Sequence, residues 1–122
     1  DPGVADEAAE LFRRAGRDDA ALMMNALVPD PVEKVRQRFG ILLDLGDFER
    51  ALALQPRLSR LGLLDDDNIR YGVAYAWFRV GGYDEAESLL RGVADPRVFQ
   101  QASELRQAME AERGPASSGR QR

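Results

Sequence analysis

The chain of 122 residues has no cysteine and no histidine. Without cysteine there is no disulfide framework, no thiol nucleophile and no report on redox compartment. Without both residues, Cys/His metal sites and Ser-His-Asp arrangements are excluded. Lysine is nearly missing as well: Lys34 stands alone against sixteen arginines. Arginine suits bidentate pairing and stacking at interfaces, although base composition of the source genome produces the same bias. No apolar run approaches the roughly 18 residues of a membrane span, and no signal-peptide h-region is present. The expectation is a soluble chain without membrane insertion. The net charge of −4 and sequence pI near 4.9 argue against a broad electrostatic footprint for nucleic acid or an anionic membrane. The first residue is Asp1 rather than Met. This leads us to expect an upstream piece, whether tag, targeting peptide or domain, and leaves cytoplasm and periplasm both open as the compartment.

What is present is ordinary globular material, 44% hydrophobic and 31% charged, enough for one domain to bury a core without staples. Within it a pattern recurs. Gly46-Asp47-Phe48-Glu49-Arg50-Ala51 and Gly81-Gly82-Tyr83-Asp84-Glu85-Ala86 place glycine, aromatic, acid and alanine at a constant offset of 35. A weaker copy, Gly16-Arg17-Asp18-Asp19-Ala20-Ala21, precedes the first by 30 and has no aromatic. Each glycine follows an amphipathic stretch and is suited to the left-handed conformation that ends a helix. The polar residues after it can cap the next helix, acids in that first turn suit its dipole, and the alanine lets two helices cross closely. The pattern predicts helix–turn–helix hairpins.

A second signal marks helix starts. Asp30-Pro31 and Asp95-Pro96 read as N-cap followed by proline at the first helical position, and Glu33 completes a capping box with Asp30. The predicted helices span about 4–15, 18–27, 31–45, 48–62, 66–80, 83–93 and 96–113. Val35, Phe39, Ile41, Leu42 and Leu45 form one stripe; Val73, Ala74, Trp77 and Val80 form another. Pro56 should kink or split the fourth helix. Val98, Phe99, Ala102, Leu105 and Met109 give the last helix one apolar stripe, with Gln100, Gln101, Glu104, Arg106, Gln107 and Glu110 lining the rest.

These residues resemble the tetratricopeptide repeat (TPR) family. The resemblance is fullest over Asn68 to Asp95, through Ala74, Trp77, Phe78, Gly81, Tyr83, Asp84-Glu85-Ala86, Leu90 and Val93. The second copy matches at Phe39, Leu42, Gly46, Phe48 and Ala51, and the first at Ala9, Phe12, Gly16 and Ala21. The resemblance implies an all-α, right-handed helical-hairpin solenoid. It would hold three hairpins, about 3–30, 31–66 and 67–96, and a capping helix over 97–113 with a polar outer face. Residues 114–122 should be a flexible tail.

The chemistry of an enzyme is not marked anywhere, and no cofactor is implied. Gly81-Gly82 is a helix–helix turn, not the strand-to-helix loop of a phosphate site. Asp65-Asp66-Asp67 could hold a hard cation, but three acids before a helix start are read as capping it. Met23-Met24 is read as core filling, and Trp77 as packed inside its hairpin.

The function implied by the resemblance is a protein–protein interaction scaffold whose concave face takes a peptide or protein partner. The alternative is a self-associating structural subunit, a homo-oligomer. The family register puts Asn68, Tyr71, Tyr75, Phe78 and Arg79 on that face in the third copy, Arg36, Gly40, Leu43 and Asp44 in the second, and Asp6, Glu10 and Arg13 in the first. Aromatic and arginine side chains are the favoured hot-spot types. The candidate partner-binding set is therefore Asn68, Tyr71, Tyr75, Phe78, Arg79 and Arg36. The family's carboxylate clamp is not matched: Arg36 stands at one of its lysine positions, but Gly40 and Tyr75 replace its asparagines.

Overall fold

The computed structural model describes the backbone of residues 2–119 and the side chains of residues 3–113. Among the described residues every regular element is helical. In chain order these are α1 Pro2–Arg14, α2 Asp18–Asn25, α3 Pro31–Leu45, α4 Phe48–Ala53, α5 Gln55–Arg60, α6 Asp67–Arg79, α7 Tyr83–Leu90 and α8 Pro96–Gly119, with a 3-10 turn over Leu63–Asp65. No helix among the described residues is long and apolar enough to cross a membrane. The chain divides into two compact units between Leu63 and Leu64.

Three turns repeat one geometry. Gly16, Gly46 and Gly81 have φ of 75°, 76° and 86°, the left-handed region where a side chain is strained. Their N–H groups donate to the carbonyls of Arg13, Leu43 and Phe78 at 3.1, 3.0 and 3.1 Å. The next residue donates in each case to the carbonyl one position earlier: Arg17 to Phe12, Asp47 to Leu42, Gly82 to Trp77, at 2.8–2.9 Å. This is the paired closure that satisfies the orphan carbonyls of a helix end. Arg17, Asp47 and Gly82 then share ψ near +70°. Five residues after each glycine, Ala21, Ala51 and Ala86 are fully buried. The copy without an aromatic thus makes the same turn as the other two. Side-chain capping is confined to one of them: Asp47 Oδ1 accepts from the Arg50 N–H at 3.2 Å. At Gly82 a Cβ would lie 2.6 Å from Trp77 Cε3, so glycine there leaves room for the indole.

The aspartate caps lie where the sequence puts them. Asp30 Oδ1 accepts from the Val32 and Glu33 N–H groups at 2.9 and 3.1 Å, and Asp95 Oδ1 from Arg97 N–H at 2.9 Å. Glu33 does not close a capping box; its carboxylate faces Arg36 at 3.5 Å. In the acid cluster, Asp66 Oδ1 caps α6 through the Asn68 N–H at 2.8 Å. Asp67 reaches further and accepts from the Ala94 and Asp95 N–H groups at 2.9 and 2.6 Å, tying the α7–α8 loop to the start of α6.

Several helix ends differ from expectation. Pro56 splits the predicted fourth helix into α4 and α5, with Leu54 between them, because its ring nitrogen has no hydrogen to give the preceding turn. α2 and α7 stop at Asn25 and Leu90 after eight residues each. The last helix runs to Gly119 rather than ending at 113; the side chains of 114–119 and all of residues 120–122, which hold most of the expected tail, lie outside the described residues.

The first unit buries Ile41, Leu42 and Leu58 completely, each contributing about 1.5–3 kcal/mol relative to exposure. In the second unit Ala74, Ala86, Leu90, Ala102, Leu105 and Met109 form a contiguous core, with Trp77, Tyr71, Tyr75, Phe78 and Tyr83 packed on it. Four side chains assigned to apolar stripes or the core are exposed instead: Met23, Leu45, Val80 and Phe99. Leu45 and Val80 sit at helix ends. Met23 lies opposite the buried Ala21–Asn25 edge of α2. Phe99 is one residue, about 100° of helix, off the buried line Val98, Ala102, Leu105 and Met109.

Candidate functional site

The most developed surface of the second unit runs along α6. Ile69, Gly72, Val73, Ala74 and Ala76 are its buried residues, and that choice leaves Asn68, Tyr71, Tyr75 and Arg79 on one side at helical spacing. The tyrosines and Phe78 are half-buried. Tyr75 and Phe78 lie with ring centroids 6.2 Å apart, and Phe78 and Tyr83 5.9 Å apart, tilted contacts of the favourable aromatic kind. Arg79 lies over the Tyr75 ring at 5.8 Å and donates from Nη1 to its hydroxyl at 2.9 Å. Beyond Tyr83, Arg113 of α8 covers the ring at 5.3 Å and pairs with Asp84 at 3.2 Å.

The structure therefore brings Tyr71, Tyr75, Phe78 and Arg79 onto one face. Asn68 begins that face, exposed, with its N–H taken by the Asp66 cap. Arg36 belongs to α3 of the first unit, where it is exposed and paired with Glu33. Trp77 is half-buried against the core, as its register requires.

α8 supplies the second wall. One flank is engaged with α7: Arg106 Nε donates to Glu87 at 3.2 and 3.3 Å, and Arg113 meets Asp84. The other flank carries Glu104, Ala108 and Glu112, one helical turn apart. Glu112 shares a depression with Phe78, Arg79 and Tyr83. Burial raises the Tyr71 hydroxyl above the usual tyrosine range, and its neighbours Tyr75 and Glu104 add to this.

The first unit gathers the remaining register positions in another way. Arg13 of α1 donates from Nε to Asp44 of α3 and faces Glu10 at 3.8 Å. Its guanidinium lies over Gly40, where a Cβ would be 2.7 Å from Nη2. The hydrogen bond to Asp44, then its charge, hold Arg13 firmly protonated. Beside this pair is a set the sequence reading missed. Asn25, fully buried, and Gln37, 5% exposed, join at 3.2 Å. Gln37 Nε2 also donates to Asp6 Oδ1 at 2.7 Å and Glu10 Oε2 at 2.9 Å. Asn25 Nδ2 gives a second bond to the Lys34 carbonyl at 2.9 Å, while Asn25 Oδ1 has no partner. The signal lay in the offset: Asn25 stands 65 residues before the buried Leu90, as Gly16 stands before Gly81. The carboxylates here hold amides and a guanidinium, and among the described residues no group of three or more is arranged for a metal ion.

No family model, curated protein or solved structure matches this chain.

Proposed function

We propose that the chain is a TPR-like protein–protein interaction scaffold, and that its partner docks on the exposed side of α6. The observation that carries this reading is the contiguous, half-exposed row Tyr71, Tyr75, Phe78 and Arg79. Tyr71, Tyr75 and Phe78 pack on the core with part of their surface and keep the rest exposed. Large aromatic faces with polar tips and a stacked arginine are the groups that supply most binding energy at interfaces. The three equivalent glycine turns, and the way Asp6, Glu10 and Arg13 of α1 meet Gln37 and Asp44 of α3 within the first unit, support a reading as repeated helical hairpins. No reaction is proposed.

The test is quantitative affinity capture followed by titration of the recovered partner against wild type and Tyr71→Ala/Tyr75→Ala. The substitutions should weaken binding by about 2 kcal/mol, on the order of thirtyfold. Unchanged affinity in a folded variant excludes α6 as the docking surface.

A second reading, self-association, has its own observation. Val4 and Leu11 on α1 and Met23 and Leu27 at α2 are exposed apolar side chains in the first unit. Burying them in a dimer would make the mass measured by light scattering rise with concentration. A strict monomer removes that reading.

A further inference from the structure

Resting on the reading that the chain self-associates, we infer that α1 is the seam of a two-fold dimer, in which Leu11 packs on its own copy and Glu7 of each chain meets Arg14 of the other. Among the described side chains of α1, the exposed ones are Val4, Glu7, Leu11 and Arg14. Steps of three, four and three residues put them in one stripe along the helix. The rest of α1 is engaged: Ala9 is buried, Asp6 and Glu10 hold Gln37, and Arg13 holds Asp44. The turn glycines set this stripe beside its equivalents. Five residues before Gly16, Gly46 and Gly81 stand Leu11, Ile41 and Ala76. Ile41 and Ala76 are fully buried, whereas Leu11 is 63% exposed. Twelve residues before the glycine, α6 buries Ile69 and α1 leaves Val4 58% exposed. α1 therefore shows aliphatic side chains at positions that later helices cover.

The charges of the stripe select the occupant. Glu7 and Arg14 stand on either side of Leu11, two helical turns apart, and neither joins an ion pair or side-chain hydrogen bond among the described residues. With Leu11, Asp6 and Glu10 they line one depression. The other charges near the end of α1 lie elsewhere: Arg17, Asp18 and Asp19 line a separate depression with Leu45 of α3. A second α1 turned about a two-fold axis at Leu11 runs antiparallel to the first. It sets Glu7 opposite Arg14 and Arg14 opposite Glu7, the reciprocity that a two-fold contact demands. A parallel copy would set like charges together. A partner segment of one charge sign would answer one of the two residues and repel the other. The arrangement of acid, leucine and arginine is thus complementary to itself.

The experiment is sedimentation equilibrium of the full chain and its variants over a concentration series. Wild type should pass from the mass of one chain to that of two. Leu11→Ser should weaken the dimer about tenfold or more. Glu7→Arg and Arg14→Glu should each weaken it about tenfold, because either places like charges at both symmetric contacts. Mixed in equal amounts, these two single variants should pair with each other. The combined reversal Glu7→Arg/Arg14→Glu should restore the wild-type mass curve, and added salt should narrow the differences. A strict monomer overturns this inference together with the self-association reading. A dimer indifferent to Leu11→Ser and to the reversals overturns the α1 seam and leaves self-association standing. A dimer weakened by Leu11→Ser but insensitive to the reversals, or not rescued by combining them, overturns the pairing of Glu7 with Arg14. Circular dichroism of each variant establishes that it is folded before it is scored.

Discussion

The two units start from one local design and fill it with different chemistry. α2 and α7 are both eight residues long, both enter from a left-handed glycine, and both lie over a fully buried alanine. At the position where the second unit buries Leu90, the first buries Asn25. Around Leu90 is a core of alanine, leucine and methionine faced by aromatic rings. Around Asn25 is a chain of amides and carboxylates that links α1, α2 and α3. The glycine turn sets the hairpin, and the residue placed inside sets how the hairpin is joined to the next helix. A polar junction holds one arrangement through hydrogen-bond geometry, and leaving any member unpaired is costly. The apolar junction is faced by aromatic rings that stay only half-buried.

The largest effect should come from exchanging the two interiors. Leu90→Asn places an amide without partners in an apolar core and should cost about 4 kcal/mol. Asn25→Leu removes the orphaned Oδ1 and adds apolar burial, but leaves Gln37 Oε1 and the Lys34 carbonyl without their donor. These offset, and the net change should stay within about 1 kcal/mol. Urea unfolding of both variants measures the asymmetry; equal losses would break the contrast between the units.

Next come the turns. Gly16→Ala and Gly81→Ala meet no atom within 4 Å of the added Cβ, so only backbone strain remains, about 1 kcal/mol each. Denaturant midpoints for the two should shift together. A shift at Gly81 alone would mean that the first copy is not equivalent.

Smallest are the pH effects, both confined to the second unit. Asp95 is held below the usual carboxylate range, first by the Arg97 side chain and then by its N–H. Its stabilisation is present above the unfolded value and fades as pH falls through the lowered folded value. Tyr71 is raised, so its contribution is present below the ordinary tyrosine range and is lost as pH rises through the folded value. Unfolding curves for Asp95→Asn should show a smaller acid-side dependence than wild type. Ultraviolet titration of wild type against Tyr71→Phe should lose one tyrosine that ionises late. A normal midpoint for that tyrosine contradicts the placement of its hydroxyl.

Much of this was legible in the sequence, for identifiable reasons. Glycine, alanine and Asp-Pro act within a few residues, so the turns at Gly46 and Gly81 and the caps at Asp30 and Asp95 could be read directly. Pro56 announced its break because a missing N–H needs no tertiary context. The gathering of Tyr71, Tyr75, Phe78 and Arg79 followed from helical spacing. What escaped depends on partners distant in sequence. Nothing local distinguishes Asn25 from a surface asparagine; it is bonded to Gln37, 12 residues away, which in turn bonds Asp6 and Glu10, 31 and 27 residues before it. Met23 and Phe99 were assigned inward because hydrophobicity tells which residues could be buried, while the helix angle decides which are.

Hydrogen exchange of the chain with and without its captured partner tests the central claim most directly. The account predicts new protection across residues 68–79, extending to the 104–112 stretch of α8, with residues 4–27 unchanged. Protection confined to 4–27, with α6 exchanging as in the free chain, would contradict it.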